Sequence, residues 1–305
     1  MKCKLYNDNF QNFKRYNIPK AQLVIADIPY NLGKNAYGSS TEWYIGGDNK
    51  NGESKKAGKS FFNTDDNFKI AEYMHFCSKL LKPEPKEKGK APAMIVFCSF
   101  QQTQMVIDYG KKYGFNNSYP LFFIKKSSPQ ALKANMRIVG ATEQAIVLTR
   151  QEFEPYEDEN IIIDGVEHAV VLYRDKLPKF NNGRQIDKNE KNIRGTGKMI
   201  CNWFEWKTDS KKEYPKIHPT QKPVSVLKQL IKIFTDEGDV VIDPVAGSGT
   251  TLRASYELNR ESYGFEVDKK FHKEAKEKML NEELLKSVTT QTSLFVQGGT
   301  YGTYR

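Results

Sequence analysis

An open α/β fold built on a mostly parallel sheet is what this sequence predicts, on three observations. Short apolar runs that read as buried strands alternate along the chain with amphipathic segments of helical spacing. Two of those runs, Leu23-Val24-Ile25 and Val240-Val241-Ile242, lead straight into loop motifs, Asp27-Ile28-Pro29-Tyr30 and Asp243-Pro244-Val245-Ala246-Gly247-Ser248-Gly249-Thr250-Thr251. A loop that follows a parallel strand is where open α/β sheets place their ligands. At 305 residues the chain can bury one large core and still carry a second lobe.

Taken in order, the Leu23–Ile25 strand precedes a polar stretch from Asn31 to Asn67, rich in Gly, Asn, Ser and Lys, whose length suits a lid or substrate-facing loop. Ile70, Met74, Cys77 and Leu81 have helical spacing and stop before Pro83. The charged run Glu84 to Lys90 reads as a solvated turn. Ala93 to Phe97 is a strand, Gln101 to Tyr113 a helix ended by Gly114, and Leu121–Ile124 and Ala145–Leu148 are further strands. Past Gln151 an acidic run precedes Ile161-Ile162-Ile163, then Asp164-Gly165, then Ala169–Tyr173, a hairpin signal. A basic, glycine-punctuated stretch follows, and then Trp203, Phe204 and Trp206. Val224, Leu227, Leu230, Ile231 and Phe234 share a helical face; Thr251–Leu258 is the helix after the Gly-rich loop, Tyr263–Phe265 a short strand, and Phe271–Leu285 a charged helix.

Composition narrows the function classes. An apolar fraction of 38% and an aromatic fraction of 12% belong to a folded chain. Cys3, Cys77, Cys98 and Cys201 are scattered, and His75, His168, His218 and His272 form no ligand-like cluster, so neither a disulfide framework nor a metal site is expected. No run approaches the ~20 apolar residues of a membrane span. With no signal-peptide pattern at the N-terminus, a reducing, cytoplasmic setting is expected. A formal charge of +10 points to a polyanionic partner.

The C-terminal motif offers free backbone N–H groups and unhindered backbone between a strand and a helix, the geometry of a nucleoside-bearing ligand. It is not a P-loop, because Thr250 stands where that loop needs lysine, and Leu252 stands where a dinucleotide fingerprint needs a third small residue. Glu266, after the Tyr263–Phe265 strand, lies where an acid accepts hydrogen bonds from ribose hydroxyls. The first motif suits a different task. An exocyclic amino nitrogen on a nucleobase is a poor nucleophile, since its lone pair is delocalised into the ring. A carboxylate from Asp27 and a carbonyl from Ile28 can accept its two hydrogens and move it toward tetrahedral geometry. Pro29 biases Ile28 toward an extended backbone, and Tyr30 supplies a ring for stacking a flipped base.

With those residues in place, the chain resembles the amino-group DNA methyltransferases. Asp27-Ile28-Pro29-Tyr30 is similar to their Asp-Pro-Pro-Tyr motif, Asp243 to Thr251 to their S-adenosylmethionine loop, and His218-Pro219-Thr220-Gln221-Lys222-Pro223 to a third motif. The order, catalytic motif first and cofactor motif last, resembles the circularly permuted β group. The resemblance implies a Rossmann-like methyltransferase fold, a mixed, mostly parallel sheet with an inserted target recognition segment. Residues 1–150 would form the catalytic half of the core, 151–217 the recognition segment and 218–305 the cofactor half. It implies that Asp243, Pro244, Ala246, Gly247, Gly249 and Thr250 form the cofactor loop, that Glu266 holds the ribose, and that Thr220, Gln221 and Lys222 face the methionine carboxylate. Asp8 would stand near the adenine of the cofactor. Lys176, Lys179, Arg184, Lys188, Arg194 and Lys198 would contact double-stranded DNA. Leu80 to Pro83 and Phe123 to Lys125 fall where the family has supporting motifs. Ile28 departs from the family proline and loses its fixed φ. The cytosine N4 enzymes more often begin the tetrapeptide with serine, so Asp27 favours adenine N6; cytosine N4 or RNA methylation, a non-catalytic DNA-binding role and a homodimer stay open.

Overall fold

The computed structural model describes residues 2–29, 68–87, 89–124, 142–143, 168–185, 187–189, 191, 193–218, 220–281, 283 and 285. Its centre is the strand pair the motifs extend. Leu23–Asp27 (β2) is apolar at every position but the last because both its faces are covered: Val24 and Ala26 enter the core on one side, Leu23 and Ile25 on the other. Each such fully buried aliphatic side chain contributes about 1.5–3 kcal/mol relative to exposure. Val240–Asp243 (β8) lies alongside in parallel, with Leu23 opposite Val241 and Val24 opposite Ile242.

Around this pair the chain builds β1 (Cys3–Tyr6), β3 (Ala93–Cys98), β4 (Pro120–Ile124), β5 (Thr142–Glu143), β6 (His168–Leu172), β7 (Trp203–Glu205) and β9 (Glu261–Phe265). Among the described residues they form one sheet in the order β1-β9-β8-β2-β3-β6-β4-β5, with β7 also paired to β4. Strands β1, β9, β8, β2 and β3 run parallel, and β6 enters antiparallel between β3 and β4. Helices α1 (Ile70–Leu80) and α2 (Phe100–Lys112) bury Tyr73, Phe76, Val106 and Ile107 on one face. On the other, α3 (Val224–Phe234) and α4 (Thr250–Glu257) contribute Leu227, Leu230, Ile231 and Ala254. The expected mixed, mostly parallel α/β sheet is therefore present.

Connectivity fixes where a ligand can bind. From β8 the chain passes through α4 to β9 on one side, whereas from β2 it leads to α1 and β3 on the other. Strand order thus reverses between β8 and β2, and the crevice above that reversal is the usual ligand site of an open α/β sheet.

Two sequence expectations need adjustment. His168–Leu172 was assigned to a recognition segment spanning 151–217, yet it pairs with β3 and β4 inside the core sheet, and Ala169 to Leu172 are all fully buried. A strand covered on both faces has no polar alternation, which is why it looks like an isolated apolar run. The charged C-terminal helix begins earlier, as α5 (Lys269–Glu274), and loosens into a π turn at Ala275–Met279. The short strand β1 was not anticipated. The loop 31–67, the Ala145–Leu148 strand and the first arm and turn of the Asp164-Gly165 hairpin lie outside the described residues.

Candidate functional site

Because β2 and β8 are neighbours, the two loop motifs emerge side by side at the same edge of the sheet. Asp243 ends β8 fully buried, and burial pushes its carboxyl up to about 7 against the stabilising bonds from the Thr251 hydroxyl and the Val245 N–H; the charge of Asp27 adds to the rise. The Val245 N–H donates to Asp243 Oδ1 at 3.1 Å.

The loop that follows is held by its own backbone. Ala246 N–H donates to Phe265 O at 2.8 Å and packs against Leu252 and Leu5, Gly249 takes φ 78° just before α4, and Thr250 opens that helix buried. Pro244 is buried at the start of the turn. Close packing explains a glycine the sequence reading passed over. A Cβ on Gly264 would lie 2.8 Å from Leu252 and 3.0 Å from Ala246, so only glycine lets the loop settle on β9. Glu266, just past β9, accepts from Gly247 N–H through Oε2 at 2.9 Å and from Asp268 N–H through Oε1 at 2.7 Å. Its burial raises its pKa, and these two backbone bonds oppose the rise. A carboxylate has about four acceptor positions, so hydroxyl donors can still be received.

The Asp27-Ile28-Pro29 strand end is held at each of its three residues. Asp27 Oδ2 lies 2.8 Å from Lys222 Nζ, in a pair whose side chains are 27% and 5% exposed respectively. Ile28 N–H donates to Phe97 O at 3.0 Å, extending the β2–β3 ladder one residue past Asp27. A proline at 28 could not make that bond, so the ladder supplies the constraint that the family proline would give through its ring. Ile28 is fully buried in the core. The Pro29 carbonyl accepts from Gln102 Nε2 at 2.8 Å, while Gln102 Oε1 receives the Ser99 N–H at 3.0 Å, tying the motif to the start of α2. Gln102 was missed in the sequence, although Ser99 followed three residues later by Gln is a capping-box signature.

Other expected site residues make contacts within the chain. Lys222, expected to face the methionine carboxylate, pairs with Asp27. Gln221 serves its own turn, with Oε1 accepting Ile217 N–H at 3.0 Å and Nε2 donating to Pro215 O at 3.1 Å, and Thr220 is exposed with its hydroxyl 3.0 Å from His218 Nδ1. His218 lies against Phe271 with ring centroids 4.7 Å apart; burial, reinforced by the Lys222 charge, pulls it down to about 4, so it is neutral at pH 7. Asp8 spends its carboxylate on its own 3-10 turn, accepting from Asn9 N–H, Asn12 Nδ2 and Tyr16 Oη at 2.8, 2.6 and 2.8 Å. The Asn12 bond leads in holding it below the usual carboxylate range. Tyr30 lies outside the described residues.

The basic candidates divide. Lys179 pairs with Asp236 and Asp239, and Lys176 donates to the carbonyls of Pro85 and Lys86, at the N-terminal edge of the strands, opposite Asp27. Arg184, Lys188, Arg194 and Lys198 are exposed on a loop closed at its base by Lys198 N–H donating to Asn182 O at 3.0 Å. Neighbouring Asn181 anchors that base to Lys232 and Thr235 at the end of α3, again on the opposite edge. Among the described residues no cluster of His, Cys, Asp and Glu could hold a metal ion, and no helix is long and apolar enough to cross a membrane.

Comparison with known proteins follows the same lines. Residues 21–277 match the N6/N4 methylase family model, described as DNA methylase. Over 269 residues the chain is 26% identical to type II methyltransferase M.HpaI of Haemophilus parainfluenzae, covering 85% of this chain and 68% of the other. It is 24% identical to DNA adenine methyltransferase YhdJ of Escherichia coli (strain K12), covering 89% and 80%. Among solved structures, the M1.HpyAVI–SAM complex aligns with a TM-score of 0.54 at 21% identity, over 90% of this chain and 98% of that one. PvuII DNA methyltransferase (cytosine-N4-specific) aligns with the same TM-score of 0.54 at 15% identity, over 97% and 93%. At these identities the structural likeness speaks to the fold.

Proposed function

The chain belongs to the N6/N4 DNA methylase family, and on that premise we propose that it methylates the exocyclic N6 of adenine in duplex DNA, with S-adenosylmethionine as donor. The observation that carries the reading is the placement of the Asp27-Ile28-Pro29 strand end beside the Asp243–Thr251 loop at the point where strand order reverses. DNA methylation is the activity of the family; the choice of adenine rests on Asp27 at the head of the motif and on the name of the YhdJ relative, a DNA adenine methyltransferase.

The residues fit the cofactor. Among the described residues, a Cβ added at Gly247 would meet His218 alone, at 3.9 Å, which leaves room for a ligand on that side of the loop. The anchored Glu266 carboxylate suits ribose hydroxyls, and buried Asp243 braces the turn beneath. S-adenosylmethionine, when bound, supplies an electrophilic methyl group on a sulfonium. What the chain contributes is orientation. Asp27 accepts one amino hydrogen of a flipped adenine and the Ile28 carbonyl the other, so the nitrogen lone pair is localised toward the donor. The adjacent Pro29 carbonyl accepts from Gln102, which anchors the strand end that presents the Ile28 carbonyl. Tyr30 stacks on the extruded base. Arg184, Lys188, Arg194 and Lys198 are exposed on a loop rooted at the opposite edge, so any phosphates they contact lie away from the flipped base.

Sequencing that maps modified bases in unmethylated DNA exposed to the purified protein and cofactor tests this. N6-methyladenine at one recurrent sequence is the expected outcome. N4-methylcytosine, or unmodified DNA, would overturn it.

A further inference from the structure

We propose that Lys222 is a positioning residue for Asp27: its ammonium orients the carboxylate and keeps it ionised for the incoming amino group, a role apart from cofactor binding. This rests on the methyl-transfer reading above. The geometry is specific. Asp27 stands opposite Phe97 in the β2–β3 register, and Lys222 Nζ sits 2.8 Å from Asp27 Oδ2, 5.2 Å from the Phe97 ring centroid and 6.0 Å from that of Trp206. Among the described residues, one carboxylate and two ring faces meet a charge that is almost wholly removed from water.

The backbone that delivers Lys222 is clamped on both sides. Before it, the Gln221 side chain bridges Ile217 N–H and Pro215 O; after it, the Asp209 carboxylate accepts Val224 N–H at 2.6 Å and Ser225 N–H at 3.2 Å. A side chain launched from so fixed a turn fixes the plane of the carboxylate it meets. Electrostatics gives the second half of the argument. Among the described residues, Asp243 on β8, Cys98 on β3 and Lys222 on the turn act on Asp27, and His218 stands next to Lys222. Asp243, once ionised above about pH 7, repels a second negative charge, burial pushes the Cys98 thiol up to about 12 so that it stays neutral, and His218 is neutral as well. Among the described residues, Lys222 is the cation of that group. A base seated over Asp27 excludes water and strengthens the pull of that cation.

Two measurements decide the matter. Thermal unfolding of the protein alone, across wild type, Lys222→Met, Asp27→Asn and the double variant, reads the pair without catalysis. Lys222→Met is expected to lower Tm by several degrees and the double variant to recover most of the loss; additive shifts would overturn the proposal whatever reaction is catalysed. In methyl transfer at saturating cofactor, Lys222→Met is expected to lose about 100-fold in kcat with the acid limb of its pH profile moved to higher pH, and Lys222→Arg to recover part of the rate. A Lys222→Met protein with wild-type kcat and a weakened cofactor affinity would also overturn it, assigning the ammonium to the cofactor carboxylate. Wild-type protein that transfers no methyl group would refute the functional reading instead, and the unfolding cycle would still decide the ion pair.

Discussion

Two lysine–aspartate pairs of equal length sit at opposite edges of one sheet. Lys222–Asp27 closes at 2.8 Å above the C-terminal end of β2, and Lys82–Asp239 closes at 2.8 Å below the start of β8. Their surroundings differ. Lys82 is 38% exposed, and Asp239 shares its charge with Lys179 and accepts the Asp236 N–H as well, so that pair stitches three passing segments together. Lys222 is buried over aromatic rings in the crevice where strand order reverses. The same chemistry is a clasp where every partner is structural and, on the proposed function, a site where one partner meets the substrate. Distance alone does not tell the two apart; the topology does.

A third network calibrates the comparison. Glu257 is buried with Arg253 and Lys228 on its carboxylate and Tyr214 Oη donating to it at 2.9 Å. Burial works against its charge, and the two cations outweigh burial, holding its pKa below the usual value. Glu257→Gln leaves two cations unmatched and is expected to cost about 3–5 kcal/mol, the largest stability loss of this set, read by denaturant titration. Asp239→Asn is expected to cost less, about 1–2 kcal/mol once solvent screening at Lys82 is counted, with methyl transfer per folded molecule unchanged. A loss of kcat there would erase the distinction between the edges. Burial also opposes the charge of Asp239, but the Asp236 N–H, Lys82 and Lys179 prevail and hold its pKa low, so its contribution is present at neutral pH and disappears as pH falls through that lowered value.

Asp243 carries the opposite sign. Its carboxyl is pushed up to about 7, so the folded state holds a proton that the unfolded chain gives up near pH 4, and stability falls as pH rises between those values. Asp243→Asn is expected to flatten the fall in Tm from pH 5 to pH 8 while weakening cofactor binding. A Tm profile identical to wild type would contradict a destabilising carboxylate at the site. The smallest expected effect concerns salt. Lys179→Ala is expected to leave the slope of DNA affinity against salt unchanged, because its ammonium is spent on Asp236 and Asp239, whereas Arg194→Ala is expected to reduce it by about one unit.

What was legible in the sequence follows from the same contrast. The strands Leu23–Asp27, Ala93–Cys98 and Val240–Asp243 and the helix Val224–Phe234 could be read because local apolar pattern decides them. Both strand-end motifs could be read because their chemistry is local too. Partnerships over long separations could not. Nothing near Lys179 announces Asp236, and nothing near Lys222 announces Asp27, 195 positions away, so neither ion pair could be foreseen. The unbroken run Ala169 to Leu172 did carry the signal of a doubly covered strand, and the hairpin reading overrode it. Strand β1 escaped notice because Leu5 is its only buried residue, too little for a period to show.

The central claim is that the end of β2 does chemistry while the β8 loop holds the cofactor. Single-turnover methyl transfer by Asp27→Ala, with S-adenosylmethionine affinity measured by calorimetry on the same preparation, tests it most directly. The expected result is cofactor binding close to wild type with transfer slowed by about 1,000-fold. Transfer by Asp27→Ala at the wild-type rate would contradict the claim.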